Sequence, residues 1–522
     1  MRRREFLTLI GAGAAAGFFE KNSFSAEEGK ASARKPNGVS RPNIVFILAD
    51  DLGYGDVHCM DPEHGKIPTP HCDQLAKEGM RFTDAHSTAA VCSPSRYSLL
   101  TGRYNWRSYL QHDVTMGTAP PMINKGRMTV ASLLKQYDYK TAVIGKWHLG
   151  LNYDVRTKTD AKTETNHTRL KTGAITGGPL DLGFDYCYCY LHGLFGFPIP
   201  TDYAMLENNM IDLPTPDRKW DMAALAPNIV KRSCAWIEQN KKDPFFIYVA
   251  LNTPHIPLAP TAEFRGKSGC GPYGDFVMET DWAVGEILKQ LDANGLAENT
   301  LVIFSSDNGC APPFFGQLAA KGHFSNGIYR GGKGDAWDGG HREPFIVRWP
   351  QVVKAGTQCD QLIGQNDFLA TVADLMGAKI PSNAAEDSIS FLPLLKGGKE
   401  PTRTSLIHHS RFGQFAITEG NWKLILCPNS GGVGKLTDEE IAAHAPVQLY
   451  DMTQDASERT NLWKKRPEIV ERLTQLVKKS VNDGRTTPGP IQKNDVEVDI
   501  YKLARYKEFL KGKENEEDTG QQ

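Results

Sequence analysis

Five short runs of this chain are apolar almost from end to end: Asn43–Ala49 (NIVFILA), Thr141–Gly145 (TAVIG), Phe245–Leu251 (FFIYVAL), Leu301–Ser306 (LVIFSS) and Phe345–Trp349 (FIVRW). A strand with one face in water alternates apolar and polar residues; these runs do not, so each is buried on both faces. Stretches with helical periodicity lie between them, at Pro70–Glu78, Thr129–Tyr137, Ala223–Gln239, Phe276–Ala293 and Phe368–Met376. Doubly buried strands alternating with helices specify an α/β fold, a large and mostly parallel sheet sandwiched by helices. The texture changes past Leu395–Pro401 (LKGGKEP): Ser405–His409, Phe415–Thr418, Trp422–Cys427 and Val447–Asp451 read as a meander of short strands, followed by a helix at Pro467–Asn482. The expected organisation is a main domain over 42–400, a smaller C-terminal α+β subdomain over 401–510 and a charged, disordered tail over 511–522.

Residues 1–26 carry three arginines at positions 2–4 and a Gly/Ala-rich apolar run from Phe6 to Phe19, the pattern of a twin-arginine export signal. Fourteen residues at about 1.5 Å each fall short of a ~30 Å hydrocarbon core, so this run is not read as a membrane span. No later segment is long and apolar enough either, and residues 27–41 form a polar linker. The expectation is an exported protein, periplasmic or secreted, with the twin-arginine machinery as a partner. Charge nearly cancels, 60 Lys+Arg against 61 Asp+Glu, which argues against nucleic acid as a partner. Ten cysteines are scattered with no CxxC pair and no zinc spacing, so most read as small buried thiols.

Chemistry collects where the strands end. The first runs into Asp50-Asp51, the second into Lys146-Trp147-His148, the third into Thr253-Pro254-His255 and the fourth into Asp307-Asn308. Ligands of open α/β sheets bind at the carboxyl ends of the strands, so four strands deliver reactive groups to one edge. Asp50, Asp51, Asp307 and Asn308 offer hard oxygen donors without Cys or His, a set suited to Ca²⁺, or less well Mg²⁺, rather than zinc. Arg96, Lys146, Lys333 and two histidines supply a positive field around them, as an oxyanion ester requires. Cys92-Ser-Pro-Ser-Arg96 opens a helix, Pro94 standing in the first turn, where backbone N–H groups favour negative charge. Trp147 reads as packing, and His341-Arg342 as a turn with an ion pair. His408 and His409 fall on opposite faces of a strand, one of them bordering the pocket. His323 and Asn326 are candidates for its lining.

These motifs, in this order, resemble the type I sulfatases of the alkaline phosphatase superfamily. The resemblance runs from Pro42 to Trp463 and rests on Asn43–Gly55 (NIVFILADDLGYG), Thr69–Phe82, Cys92–Gly102 (CSPSRYSLLTG), Gly145–Gly150 (GKWHLG), Pro254-His255, Ser306–Gly309 (SDNG) and Gly331–Arg342 (GGKGDAWDGGHR). Cys72, Cys310 and Asp338 depart from commoner residues, none at a reactive position. The resemblance implies that Cys92 is oxidised to formylglycine (3-oxoalanine) by a formylglycine-generating enzyme, and that its hydrate attacks sulfur. It implies that Asp50, Asp51, Asp307 and Asn308, with the modified Cys92, hold the metal. Arg96 and Lys146 would fix the diol, and Lys146, Lys333 and His255 would contact the sulfate. His255 would protonate the leaving alcohol and His148 would take the proton that expels sulfate; His323 is added as a substrate contact. The implied activity is hydrolysis of sulfate monoesters, of an aryl sulfate or a sulfated carbohydrate. Residues 177–209 resemble the polysaccharide branch, with Leu191–Tyr203 as a loop that stacks on sugar rings. Two rival readings stay open: a formylglycine-dependent phosphodiesterase or phosphonate monoester hydrolase, and a non-catalytic protein that binds sulfated glycans.

Overall fold

The computed structural model describes residues 41–115, 119–152, 168–171, 175–191, 205–213, 221–432 and 445–501. The expected export signal, nearly all of the linker, the sugar-stacking loop after Leu191 and the charged tail lie outside the described residues. An eleven-stranded sheet forms the centre. Five of its strands, β1 (Asn43–Ala49), β2 (Lys140–Lys146), β3 (Tyr186–Tyr190), β4 (Phe245–Ala250) and β5 (Thr300–Ser306), run parallel in the order β5-β1-β4-β2-β3. Along β1, Ile44, Phe46 and Leu48 enter the core on one face while Val45, Ile47 and Ala49 enter the core on the other, so the apolar run has no face for water. The expected helices form as Pro70–Lys77, Val130–Lys135, Leu225–Asn240, Gly271–Ala293 and Phe368–Met376. The fourth begins five residues before the apolar periodicity, because Gly271, Pro272 and Gly274 carry no helical stripe although Pro272 fits the first turn.

Antiparallel pairs enter on both sides of this parallel core, although the edge strand Thr357–Cys359 runs parallel to Met80–Phe82. Strand β6 (Phe345–Arg348) pairs antiparallel with β5 and with Met80–Phe82, and Met205–Glu207, Met210–Leu213 and Thr168–Lys171 extend the far edge beyond β3 in the same manner. A parallel neighbour needs a helical crossover, and the segment from Asp307 to Glu343 is instead a long irregular excursion that brings the chain back reversed. The C-terminal part is a four-stranded antiparallel meander, Ser405–His409, Phe415–Glu419, Trp422–Ile425 and Gln448–Asp451, with the helix Pro467–Asp483 packed against it through Ile469, Leu473 and Val477. All ten cysteines are free thiols.

Candidate active site

The parallel strands end together, and hydrogen bonds knit their ends. The Asp50 N–H donates to the Thr253 carbonyl at 3.0 Å and the Asp307 N–H to the Ala49 carbonyl at 3.1 Å. Asp51 follows with φ 65°, a left-handed turn that swings its carboxylate across the sheet edge, and its own N–H donates to Asp307 Oδ1 at 3.2 Å. Gly145 shows how tightly the edge is drawn. A Cβ there would stand 1.8 Å from the Ala250 carbonyl oxygen, and its φ of 116° is open to glycine. Lys146 is thereby pressed beside Asp50.

Helix Cys92–Thr101 enters from the side. Val91 caps it in extended conformation and Gly102 closes it at φ 63°. Every residue of the helix is buried, so it carries no amphipathic stripe and only its Pro and cap mark it in the sequence. Cys92 Sγ lies 3.7 Å from Asp50 Oδ1. One turn on, Arg96 donates from Nε and Nη2 to Asp307 Oδ2 at 2.9 and 2.6 Å, with Asp50 3.6 Å away. Lys146 Nζ reaches both oxygens of Asp50 at 2.9 and 2.7 Å, and Lys333 Nζ reaches Asp51 at 2.7 Å. Three carboxylates therefore face three obligate cations in an enclosed volume. Burial pushes Asp50 and Asp51 upward, but Lys146 opposite Asp50, Lys333 opposite Asp51 and His255 beside both outweigh it and hold these acids below the usual range. The Cys92 thiol goes the other way: burial drives it up to about 12, against the pull of Lys146 and Lys333.

The donor set fits a hard cation. Asn308 Nδ2 donates to Asp51 Oδ1 at 2.8 Å, yet its buried Oδ1 has no hydrogen-bond partner among the described residues. Asp50, Asp51, Cys92 and His255 place a ligand atom each within 4.8 Å of one another. The carbonyl of Ile256 takes a hydrogen from His255 Nδ1 at 2.5 Å, leaving Nε2 facing Asp51 Oδ2 at 3.7 Å. Burial, then the charge of Lys333, lowers the pKa of this ring, so it is neutral at neutral pH. His148, at φ 53°, donates from Nε2 to the Thr115 carbonyl at 3.0 Å, which fixes the orientation of the ring and, when it is neutral, puts the lone pair on Nδ1. Thr115 in turn bonds the Ser93 hydroxyl at 3.1 Å, tying His148 to the residue after Cys92.

Nine of the residues singled out in the sequence thus converge: Asp50, Asp51, Cys92, Arg96, Lys146, His255, Asp307, Asn308 and Lys333. His148 joins them through Thr115. His323 does not, and its expected place in the pocket lining is corrected: Nε2 bonds Asp56 Oδ1 at 2.7 Å and Nδ1 accepts from the Lys66 N–H at 3.0 Å, so both nitrogens are used in bracing the loop after Asp51. Asn326 is likewise occupied with backbone, at Cys310 and Gly331. Nor does His408 or His409 border the pocket. His408 stacks on His341 at 3.9 Å and 13°, with His86 beside them, while His409 packs on Phe415 and meets Asn105. His86 is tilted to both rings, its Nδ1 3.0 Å from His341 Nδ1, and Lys423 Nζ stands 3.1 Å from His341 Nε2, so the three imidazoles pack as a buried group around a lysine. Arg342 forms its ion pairs with Asp338 and Asp84 at 2.7 Å each. Sequence reading missed Thr115, Tyr248, whose hydroxyl lies 3.4 Å from Arg96, and Tyr190, whose buried hydroxyl has no partner among the described residues. Tyr190 ends β3, and the strand-end argument applied to that strand would have found it. No helix among the described residues is long and apolar enough to cross a membrane.

The family model described as Sulfatase matches residues 42–378, and that described as N-sulphoglucosamine sulphohydrolase, C-terminal, matches residues 333–485. The chain is 34% identical over 500 residues to the N-acetylgalactosamine-6-O-sulfatase of Bacteroides thetaiotaomicron, an alignment covering 85% of this chain and 94% of the relative. Human arylsulfatase A is 32% identical over 489 residues, covering 86% and 90%. Among solved structures, one from work on metabolism of multiple glycosaminoglycans by Bacteroides thetaiotaomicron superposes with a TM-score of 0.74 at 32% identity, covering 84% of this chain and 99% of that one. A second, Ps i-CgsB in complex with k-i-k-neocarrahexaose, gives 0.66 at 26% identity, covering 84% and 92%.

Proposed function

The chain belongs to the sulfatase family and is a sulfuric ester hydrolase; on that premise we propose that it removes O-sulfate groups from carbohydrates, using a formylglycine made from Cys92 and a bound Ca²⁺. One observation carries the reading of the nucleophile. A thiol pushed to about 12 stays protonated at neutral pH and is a poor nucleophile, yet it occupies the focus of three carboxylates and three cations. That position makes sense for a group derived from the thiol. As its hydrate, formylglycine supplies an oxygen nucleophile, and a calcium ion supplies Lewis-acid stabilisation of nucleophile and sulfate oxygens.

The remaining chemistry belongs to the chain itself. Asp50, Asp51, Asp307 and Asn308 would hold the cation, Asn308 offering the Oδ1 that has no partner among the described residues. Arg96 and Lys146, fixed by their carboxylates, orient the side chain at position 92. Lys333 and His255 bind the sulfate. A sulfate monoester beside His255 brings the negative charge that the neutral ring lacks, raising its affinity for the proton that Nε2 passes to the leaving oxygen. His148 accepts a proton at Nδ1 when sulfate is released, its other nitrogen held by Thr115.

The carbohydrate assignment is supported by the relative named for N-acetylgalactosamine 6-O-sulfate and by the likeness of residues 177–209 to the polysaccharide branch. Export through the twin-arginine route to the periplasm or medium, conversion of Cys92 by a formylglycine-generating enzyme, and the division into 42–400 and 401–510 complete the proposal. Mass spectrometry of the tryptic peptide Phe82–Arg96 from the native host, run beside kinetics on sulfated saccharides, 4-nitrophenyl sulfate and a matched phosphodiester, tests it. Formylglycine at position 92 with preference for a saccharide sulfate is expected. An unmodified thiol with no turnover would favour a glycan-binding role, and preference for the phosphodiester would favour the phosphodiesterase reading.

A further inference from the structure

Two loops meet beside the site without supplying any of the groups so far assigned. One carries Thr115, which holds His148; the other is the turn 410–413 between the first two strands of the C-terminal sheet. A ladder of backbone hydrogen bonds fastens them to the site. The Gly334 N–H donates to the Ala90 carbonyl at 2.7 Å, the Arg411 N–H to the Gly334 carbonyl at 2.8 Å, and the Asp113 N–H to the Arg411 carbonyl at 2.6 Å. Gly334 follows Lys333, and Ala90 precedes Cys92 by two residues. The backbone of Asp113 and Arg411 is thus tied, through Gly334 and Ala90, to the segments that carry Lys333 and Cys92.

Their chemistry is not explained by stability. Arg411 Nε and Nη2 meet the Asp113 carboxylate at 3.1 and 3.3 Å, with the side chains 48% and 36% exposed. A pair so open to water contributes about 0–1 kcal/mol. Phe412, next in the chain, leaves its ring 41% exposed beside the guanidinium. Asp113 is moreover held at φ 58°, a conformation that costs free energy and that Asp or Asn tolerates best. A carboxylate acceptor, a planar fork of donors and an apolar ring within one turn of each other match the surface of a pyranose, which presents hydroxyls on its edge and C–H groups on its face.

We propose that Asp113, Arg411 and Phe412 form a sugar subsite at the mouth of the sulfate site. Asp113 accepts hydrogen bonds from ring hydroxyls of the sulfated sugar, Arg411 donates to its oxygens, and Phe412 covers one face of the ring. The inference rests on the carbohydrate reading above and extends it by naming what recognises the sugar. An aryl sulfate offers none of these hydroxyls, so it engages the sulfate pocket alone.

The test compares D113N, R411A and F412A with wild type on two probes, 4-nitrophenyl sulfate and a panel of 3-O-, 4-O- and 6-O-sulfated N-acetylhexosamines and galactose. Each variant is expected to lose about tenfold or more in kcat/KM on the preferred sugar sulfate relative to its change on the aryl ester, mostly through KM. D113N keeps the shape and the left-handed backbone, so it reports on hydrogen bonding even where a truncation disturbs the loop. Equal losses on both probes would mean a structural rim, and no loss on the sugar would mean no subsite; either overturns the proposal while leaving the carbohydrate reading intact. A wild type that turns over only the aryl ester would overturn both.

Discussion

Lys146 shows how the site holds itself together residue by residue. Its ammonium is fully buried with both oxygens of Asp50 as partners, and Arg96 stands 3.6 Å from the same carboxylate. Removing one member of a buried pair leaves the other charge uncompensated, which costs more than the pair itself contributed. Lys146→Met is therefore expected to lower stability by about 3 kcal/mol in denaturant titration, besides abolishing turnover. Cys92→Ser should leave the fold unchanged, since a hydroxyl replaces a thiol that is protonated in any case. It removes the precursor of the nucleophile, so kcat on 4-nitrophenyl sulfate should fall by about a thousandfold or more with an unaltered melting curve. A serine variant that kept its activity would show that turnover does not depend on a group derived from the cysteine.

Elements, more than residues, decided what could be read in advance. The bounds of β1 were legible because the unbroken apolar run Ile44–Ala49 stands between Pro42-Asn43 and Asp50-Asp51. The convergence of Asp50, Lys146, His255 and Asp307 followed from one rule about strand ends, and it held because hydrogen bonds between those ends align them. What the pattern did not reveal was direction and distance. Nothing in Phe345–Arg348 distinguishes an antiparallel strand from a parallel one, since both faces are buried either way. His323 looked available because a sequence does not show that Asp56, 267 positions away, occupies its Nε2. Gly145 was quoted as part of a motif, yet its reason is steric: the 1.8 Å approach of a would-be Cβ to Ala250. Gly145→Ala should force β2 and β4 apart, lowering the unfolding free energy by about 3 kcal/mol and misplacing Lys146 enough to depress kcat. Chemical denaturation and single-turnover kinetics on the same variant check both halves. A Gly145→Ala protein of normal stability would mean that the strands can separate at no cost.

At the scale of the molecule, the interior keeps ionisable groups neutral in two opposite senses. His341 and His408 are held far below their ordinary pKa by burial first, then by a neighbouring imidazole (His408 beside His341, His86 beside His408) and by Lys423. Glu343, fully buried with only the Ser87 hydroxyl at 3.0 Å on one oxygen, is pushed far above its ordinary value by burial. A buried histidine with a depressed pKa resists the proton that the unfolded chain accepts below about pH 6.5, so its contribution to stability fades as pH falls. A buried acid with a raised pKa keeps the proton that the unfolded chain releases above about pH 4.5, so its contribution fades as pH rises. Between those limits the two trends oppose each other, with two imidazoles set against one carboxyl. Single substitutions should tilt the balance in opposite directions. His408→Phe, which preserves the stack on His341, carries a fixed packing cost. Relative to wild type it should nevertheless recover about 1.4 kcal/mol for each pH unit lowered from 6.5 towards 4.5. Glu343→Gln should recover a similar amount for each unit raised across the same window. Denaturant titrations of the three proteins from pH 4.5 to 7 measure both slopes directly. Parallel curves for all three would show that these groups titrate alike in the folded and unfolded chain, and that the buried imidazoles and carboxyl do not set the acid limit of the fold.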